Sequence, residues 1–101
     1  MKTLHLVLKK KWFDMILSGE KKEEYRTLSQ YWNLRLGMDD RIEYPETTHN
    51  FDTITFSHGY AKDRPQFVIE LERIEIKEGN TNWGAEPGTK YFVLKLGKII
   101  E

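Results

Sequence analysis

Cysteine is absent from the 101 residues, which excludes a disulfide framework and thiolate chemistry. No apolar stretch approaches the roughly 20 residues of a membrane-crossing helix. The N-terminal MKTLHLVLKKKW carries an apolar run too short and too interrupted for a signal peptide, so a cytoplasmic protein without membrane association is expected. Repeats and low-complexity segments are missing. Net charge is zero, which argues against coating nucleic acid through bulk electrostatics. His5, His49 and His58 show no ligand spacing and no acidic cluster has metal geometry, so neither a metal nor a cofactor is expected. Nothing in the sequence points to an obligate protein partner.

What is present suits one core. A chain of this length forms a single domain, here residues 1–101, and 39% apolar with 13% aromatic residues supplies a core without staples. Charge is unevenly placed. Residues 1–38 hold eight Lys or Arg against four Asp or Glu (+4), and residues 39–101 hold eight against twelve (−4). A local cationic face is therefore available.

Leu4, Leu6 and Leu8 alternate with polar or small neighbours, the period of a strand with one face on a core. Trp12, Phe13, Ile16 and Leu17 recur at helical spacing, and Gly19 stands where a left-handed cap is expected. Residues 22–26 alternate in charge and read as a short strand. A second helix starts at Ser29, carries Tyr31, Trp32 and Leu36, and stops at Gly37. The stretch MDDRIEYPETTHN is polar and turn-rich, a surface connection with a short strand over Arg41 to Tyr44. Ile54 and Phe56 mark the next strand, which ends in HGY. A long strand follows in which Phe67, Ile69 and Leu71 keep one phase and Ile74 and Ile76 the other, so a β-bulge is expected near Glu72 and Arg73. The last strand places Phe92, Leu94 and Leu96 on one face, with a bend at Gly97. The order β-α-β-α-β-β-β gives an α+β fold: a mixed, largely antiparallel curved sheet or small barrel with two short flanking helices.

The segment GEKKEEYR, residues 19–26, holds the candidate site. On a strand, Lys22, Glu24 and Arg26 share one face and Glu23 and Tyr25 the other. Lys21 precedes the strand, where parity does not fix its direction, and can reach the same region. Ionisable groups converging beside a core are costly unless each is paired or faces a polar ligand. They make either a pocket or an ion-pair cluster that fixes strand register.

The order of strand, helix ending in Ser-Gly, and GEKKEEYR resembles the ASCH domain of the PUA-like superfamily. Its signature Gly-x-Lys-x-x-Glu-x-Arg is met by Gly19, Lys21, Glu24 and Arg26, and YFVLKLGKI is similar to the family's closing strand. The resemblance implies a small PUA-like barrel whose cleft, lined by Lys21, Glu24 and Arg26, binds RNA or a modified nucleoside or nucleotide. One enzymatic branch, the small acetylcytidine amidohydrolases, uses a Lys and a Thr from this segment with a later Glu. Lys21 and Arg26 match that branch, but Glu24 stands at its Thr position and the later Glu has no clear counterpart, Glu70 or Glu72 being geometric substitutes. Another ASCH class is ribonuclease-like.

Two functions follow. In a binding module, Arg26 and Lys21 contact phosphate or base edges and Glu24 accepts from an exocyclic amine. In a small nucleoside or RNA hydrolase, Lys21 and Glu24 share general acid–base work. Binding is favoured, because the hydroxyl nucleophile is missing. Ser57, His58 and Tyr60, around Gly59 at a strand end, are further ligand-binding candidates, or only a polar turn. Trp83, in a Gly- and Pro-containing loop, either covers a pocket or pins the loop. Trp12, Tyr25 and Trp32 read as core rather than stacking platforms, and Lys9, Lys10 and Lys11 as a solvated face or a phosphate-attracting patch.

Overall fold

The computed structural model describes residues 2–36, 51–59 and 64–101. Among the described residues, five strands and two helices follow in the expected order: β1 (Thr3–Leu8), α1 (Lys10–Leu17), β2 (Glu23–Thr27), α2 (Gln30–Arg35), β3 (Thr53–His58), β4 (Gln66–Glu78) and β5 (Lys90–Ile99), with a 3₁₀ turn at Thr81–Trp83. The strand expected over Arg41 to Tyr44, the helix stop at Gly37, His49 and Tyr60 lie outside the described residues.

Alternation decides the sheet. Leu4, Leu6 and Leu8 of β1, Ile54 and Phe56 of β3, Phe67, Ile69 and Leu71 of β4, and Phe92, Leu94 and Leu96 of β5 are all buried in one core. Burying each such side chain contributes about 1.5–3 kcal/mol. The strands form one sheet in the order β1-β3-β4-β5-β2, with β1 and β3 parallel and the other pairs antiparallel. The sheet curls into a half-barrel whose edges are β1 and β2.

Curvature is introduced on β4. Its ladder with β5 shifts register between Ile69 and Leu71 and again between Leu71 and Arg73, which is the slip that separates the phases of Ile69 and Ile74. Opposite the shift, β5 runs on through Gly97. A Cβ there would stand 2.9 Å from Glu70 Oε1, the oxygen that accepts from the Lys98 amide at 2.8 Å.

On β3, Thr53, Thr55 and Ser57, which alternate with the core residues Ile54 and Phe56, are buried as well. The Thr53 hydroxyl is satisfied by Thr3 Oγ1 at 2.8 Å.

The helices sit where the half-barrel stays open. Helix α1 buries Phe13 and Ile16, with Phe13 edge-on to Phe67 at 4.9 Å between centroids. It ends at Ser18, and Gly19 turns the chain with φ of +88°, a conformation that favours glycine. The Lys21 amide then donates back to the Met15 carbonyl at 2.9 Å, so Lys21, two residues before β2, is tied to the end of α1. Helix α2 opens on Ser29, whose Oγ accepts from the Trp32 amide at 3.3 Å, an N-cap of the expected kind.

Candidate functional site

A cavity of about 600 Å3 lies between the two edge strands of the half-barrel. One wall is β1 from His5 onward to Lys9, and the facing wall is β2 at Glu24, Tyr25 and Arg26. Tyr31, Trp32 and Arg35 of α2, Trp12 of α1 and the Trp83–Gly84 turn complete it. All three tryptophans of the chain therefore border one space.

Strand parity sets the charged wall. Glu24 and Arg26 carry their charges to the cavity side of β2, while Tyr25, which borders the cavity, turns its hydroxyl away to Glu23. Glu24 accepts from Lys21 Nζ through one carboxylate oxygen and from Arg26 Nη1 through the other. Arg26 Nη1 also donates to its neighbour's carbonyl, Tyr25 O, at 2.8 Å. Exposure of the side chains climbs outward, from 0% at Lys21 through 7% at Glu24 to 15% at Arg26. Lys21, expected as a ligand contact, is placed as a buried support behind Glu24 and is not among the residues that line the cavity.

The rings face cations. Arg26 Cζ is 5.1 Å and Arg35 Cζ 5.5 Å from the Trp32 ring centroid. Lys21 Nζ lies 5.4 Å from the centroids of both Trp12 and Tyr25, and Lys11 Nζ stands 4.7 Å over Trp12. Such contacts stabilise cations that have shed part of their water. Arg35 also donates through Nη2 to the His5 carbonyl at 2.8 Å, tying α2 to the edge of β1 across the opening of the half-barrel.

Burial is the largest influence on Lys21. It lowers the amine below its ordinary value of 10.5, Arg26 adds to that, and Glu24 opposes it through charge and hydrogen bond. The net direction is downward, as expected for an ammonium taken out of water.

Of the remaining candidates, Trp83 lines the cavity, whereas Ser57 and His58 are not among its walls. Ser57 is buried in the interior strand β3, and His58 lies against Phe13, 6.2 Å between ring centroids. Glu70 bonds the Lys98 amide beside Gly97, and neither it nor Glu72 lines the cavity, which removes both as partners for Lys21. Trp12 and Trp32, read as core, are half-buried cavity walls, and Trp32 also packs against the core. His5, Tyr31 and Arg35 were not anticipated as site residues, since nothing in their spacing distinguishes them from exposed side chains.

Chemically, the lining offers Lys9, Arg26 and Arg35 against the single carboxylate of Glu24, together with aromatic faces. No serine or threonine lines the cavity among the described residues. Among those residues no group of three or more His, Asp or Glu is placed to hold a metal, and no helix is long and apolar enough to cross a membrane. Comparison with protein-family models, curated proteins and solved structures returns no match.

Proposed function

We propose that this chain is a PUA-like, ASCH-type binding module whose cavity takes RNA or a nucleoside or nucleotide, modified bases included. The observation that carries this reading is the composition of one space: three tryptophans, three cations and a single carboxylate already bonded on both oxygens. Aromatic faces suit the π-face of any base, and excess positive charge suits phosphate.

Roles follow from position. Arg26 and Arg35, both at the Trp32 ring, present guanidinium donors to phosphate or to base acceptors. Each Glu24 oxygen retains a lone pair after its bond to Lys21 or Arg26, enough to accept from an exocyclic amine. Lys21 holds Glu24 in place through its hydrogen bond. Trp83 offers a ring to stack on. A hydrolase with Lys21 and Glu24 as acid and base is less well supported, because Lys21 is fully enclosed and no aliphatic hydroxyl lines the cavity among the described residues.

The test is a two-dimensional NMR titration with nucleosides, acetylated cytidine, cytidine 5′-monophosphate and a short single-stranded RNA, with chromatography of the mixtures. Shifts clustered at Glu24, Arg26, Trp32 and Trp83 with unchanged ligand are expected. Product that disappears in Lys21→Ala would establish the hydrolase instead, and no shift with any ligand would reject both.

A further inference from the structure

The outer face of β2 controls the cavity through a residue that does not reach it with its polar end. The Tyr25 hydroxyl donates to Glu23 Oε1 at 2.8 Å and accepts from the Asn80 amide at 2.8 Å. One donor and one acceptor bond engage both capacities of a phenol. Glu23 is fixed in turn by Lys95 Nζ at 2.8 Å and Lys77 Nζ at 3.3 Å on its other oxygen, so the hydroxyl leans on an immobilised carboxylate.

Asn80 is the hub of the loop beyond. Its Oδ1 accepts from the Asn82 amide at 2.8 Å, and its carbonyl accepts from the amides of Trp83 at 2.9 Å and Ala85 at 3.3 Å. Two glycines press this loop onto its supports. A Cβ on Gly79 would stand 2.8 Å from the Tyr25 ring and 2.7 Å from Ala85 Cβ, and one on Gly84, whose φ is +100°, would stand 2.9 Å from the Trp12 ring. The turn that carries Trp83 is therefore clamped between Tyr25 and Trp12.

We infer that Tyr25 is a positioning residue for the cavity: its hydroxyl, held by Glu23, sets the Asn80 turn and thereby fixes Trp83 as the wall against which a ligand stacks. This rests on the binding reading above for its consequence in affinity, and on the geometry alone for its consequence in the position of Trp83. It also gives β2 two separate duties. Its cavity face supplies the charged groups and its outer face sets the aromatic wall.

Tyr25→Phe keeps the ring and removes only the hydroxyl. In a proton–nitrogen correlation spectrum of the full chain, the Trp83 indole and Asn80 amide signals should move or broaden in this variant while the Trp32 indole stays in place. Affinity for cytidine 5′-monophosphate should fall about three- to tenfold, the value of one hydrogen bond. Added to Trp83→Ala, the same substitution should lower affinity no further, because the two act through one ring. An unmoved Trp83 signal, or an undiminished loss in the Trp83→Ala background, overturns the inference. If the wild type binds no cytidine 5′-monophosphate while the Trp83 signal moves in Tyr25→Phe, the positioning stands and the nucleotide reading of the cavity is what fails.

Discussion

Replacing Glu24 with glutamine keeps the shape of the side chain and removes the negative charge between Lys21 and Arg26. The Lys21 side chain is fully enclosed, and Glu24 is 7% exposed. Water therefore cannot replace the lost counter-charge. Breaking a pair in such surroundings costs about 3–5 kcal/mol, against a whole-domain stability of about 5–15 kcal/mol. Lys21 has one escape, which is to give up its proton. Burial already lowers its pKa, Arg26 pushes the same way, and Glu24 is the group that raises it most. Without Glu24 the amine falls further.

The direction of the pH effect then follows. Unfolded, Lys21 keeps its proton up to about 10.5. Folded, it loses the proton at lower pH, so between the two values the unfolded chain binds more protons and stability climbs with pH. In Glu24→Gln that window opens lower than in the wild type. The deficit of the variant should be greatest at the acid end of that window and shrink as pH climbs toward about 10.5. Urea denaturation at the two ends, with unchanged m-values, measures it. A deficit below about 1 kcal/mol, equal at both ends, is the size of a solvated surface pair and would refute the placement of Lys21 in a dry environment.

Further outcomes test neighbouring elements. Arg26→Lys keeps the charge but loses the planar fork that serves Glu24 and the Tyr25 carbonyl and faces Trp32; a loss of about 1.5–3 kcal/mol is expected in chemical denaturation. Gly79→Ala places a Cβ against Ala85 and the Tyr25 ring and should cost about 1–3 kcal/mol, read as a lower melting temperature. Ser29→Ala removes the cap of α2 and should cost about 1 kcal/mol, or about 4–8 °C in Tm. Burial alone would raise the Glu23 carboxyl, but hydrogen bonds from Lys95 and Tyr25 outweigh it and its pKa is lowered. Its contribution is thus present above about pH 4.5 and lost as pH falls through the folded value, so Glu23→Gln should flatten the acid limb of a stability–pH profile.

The half-barrel was legible wherever one face of an element meets the core. The phases of Leu4–Leu8, Phe67–Ile76 and Phe92–Leu96 mark three strands and the bulge on β4. The alternation of Glu23, Glu24, Tyr25 and Arg26 separates the two faces of β2, and Ser29 announces α2. What opposes a face was not legible. Trp32 packs against the core as its helical position suggests, yet the sheet does not close, and both it and Trp12 stay half-buried at the opening. Lys21 precedes β2, so parity left its direction open until the Met15 carbonyl held its amide. Ser57 and His58 stand at the end of a strand, and no local pattern tells that β3 is interior while the cavity belongs to the edges.

The cost of the arrangement bears on what it is for. A large apolar side chain contributes about 1.5–3 kcal/mol when fully buried, and three tryptophans left half-buried around one opening forgo part of that contribution each. A fully enclosed lysine adds a desolvation cost that its ion pair only partly offsets. The opposite face of β2 carries a second ion-pair cluster, the buried Glu23 with the more exposed Lys77 and Lys95. That second cluster already pins β2 to β5 and its neighbour β4, so register does not require the first. The Lys21–Glu24–Arg26 chain runs instead from the core to the cavity, with its most exposed member beside Trp32. On the proposed binding reading, a planar, anionic ligand would offset that cost by covering the rings and neutralising the arginines. Ligand binding should therefore raise Tm in the wild type and lose most of that increment in Arg26→Lys, a linkage that an ion pair serving register alone would not produce.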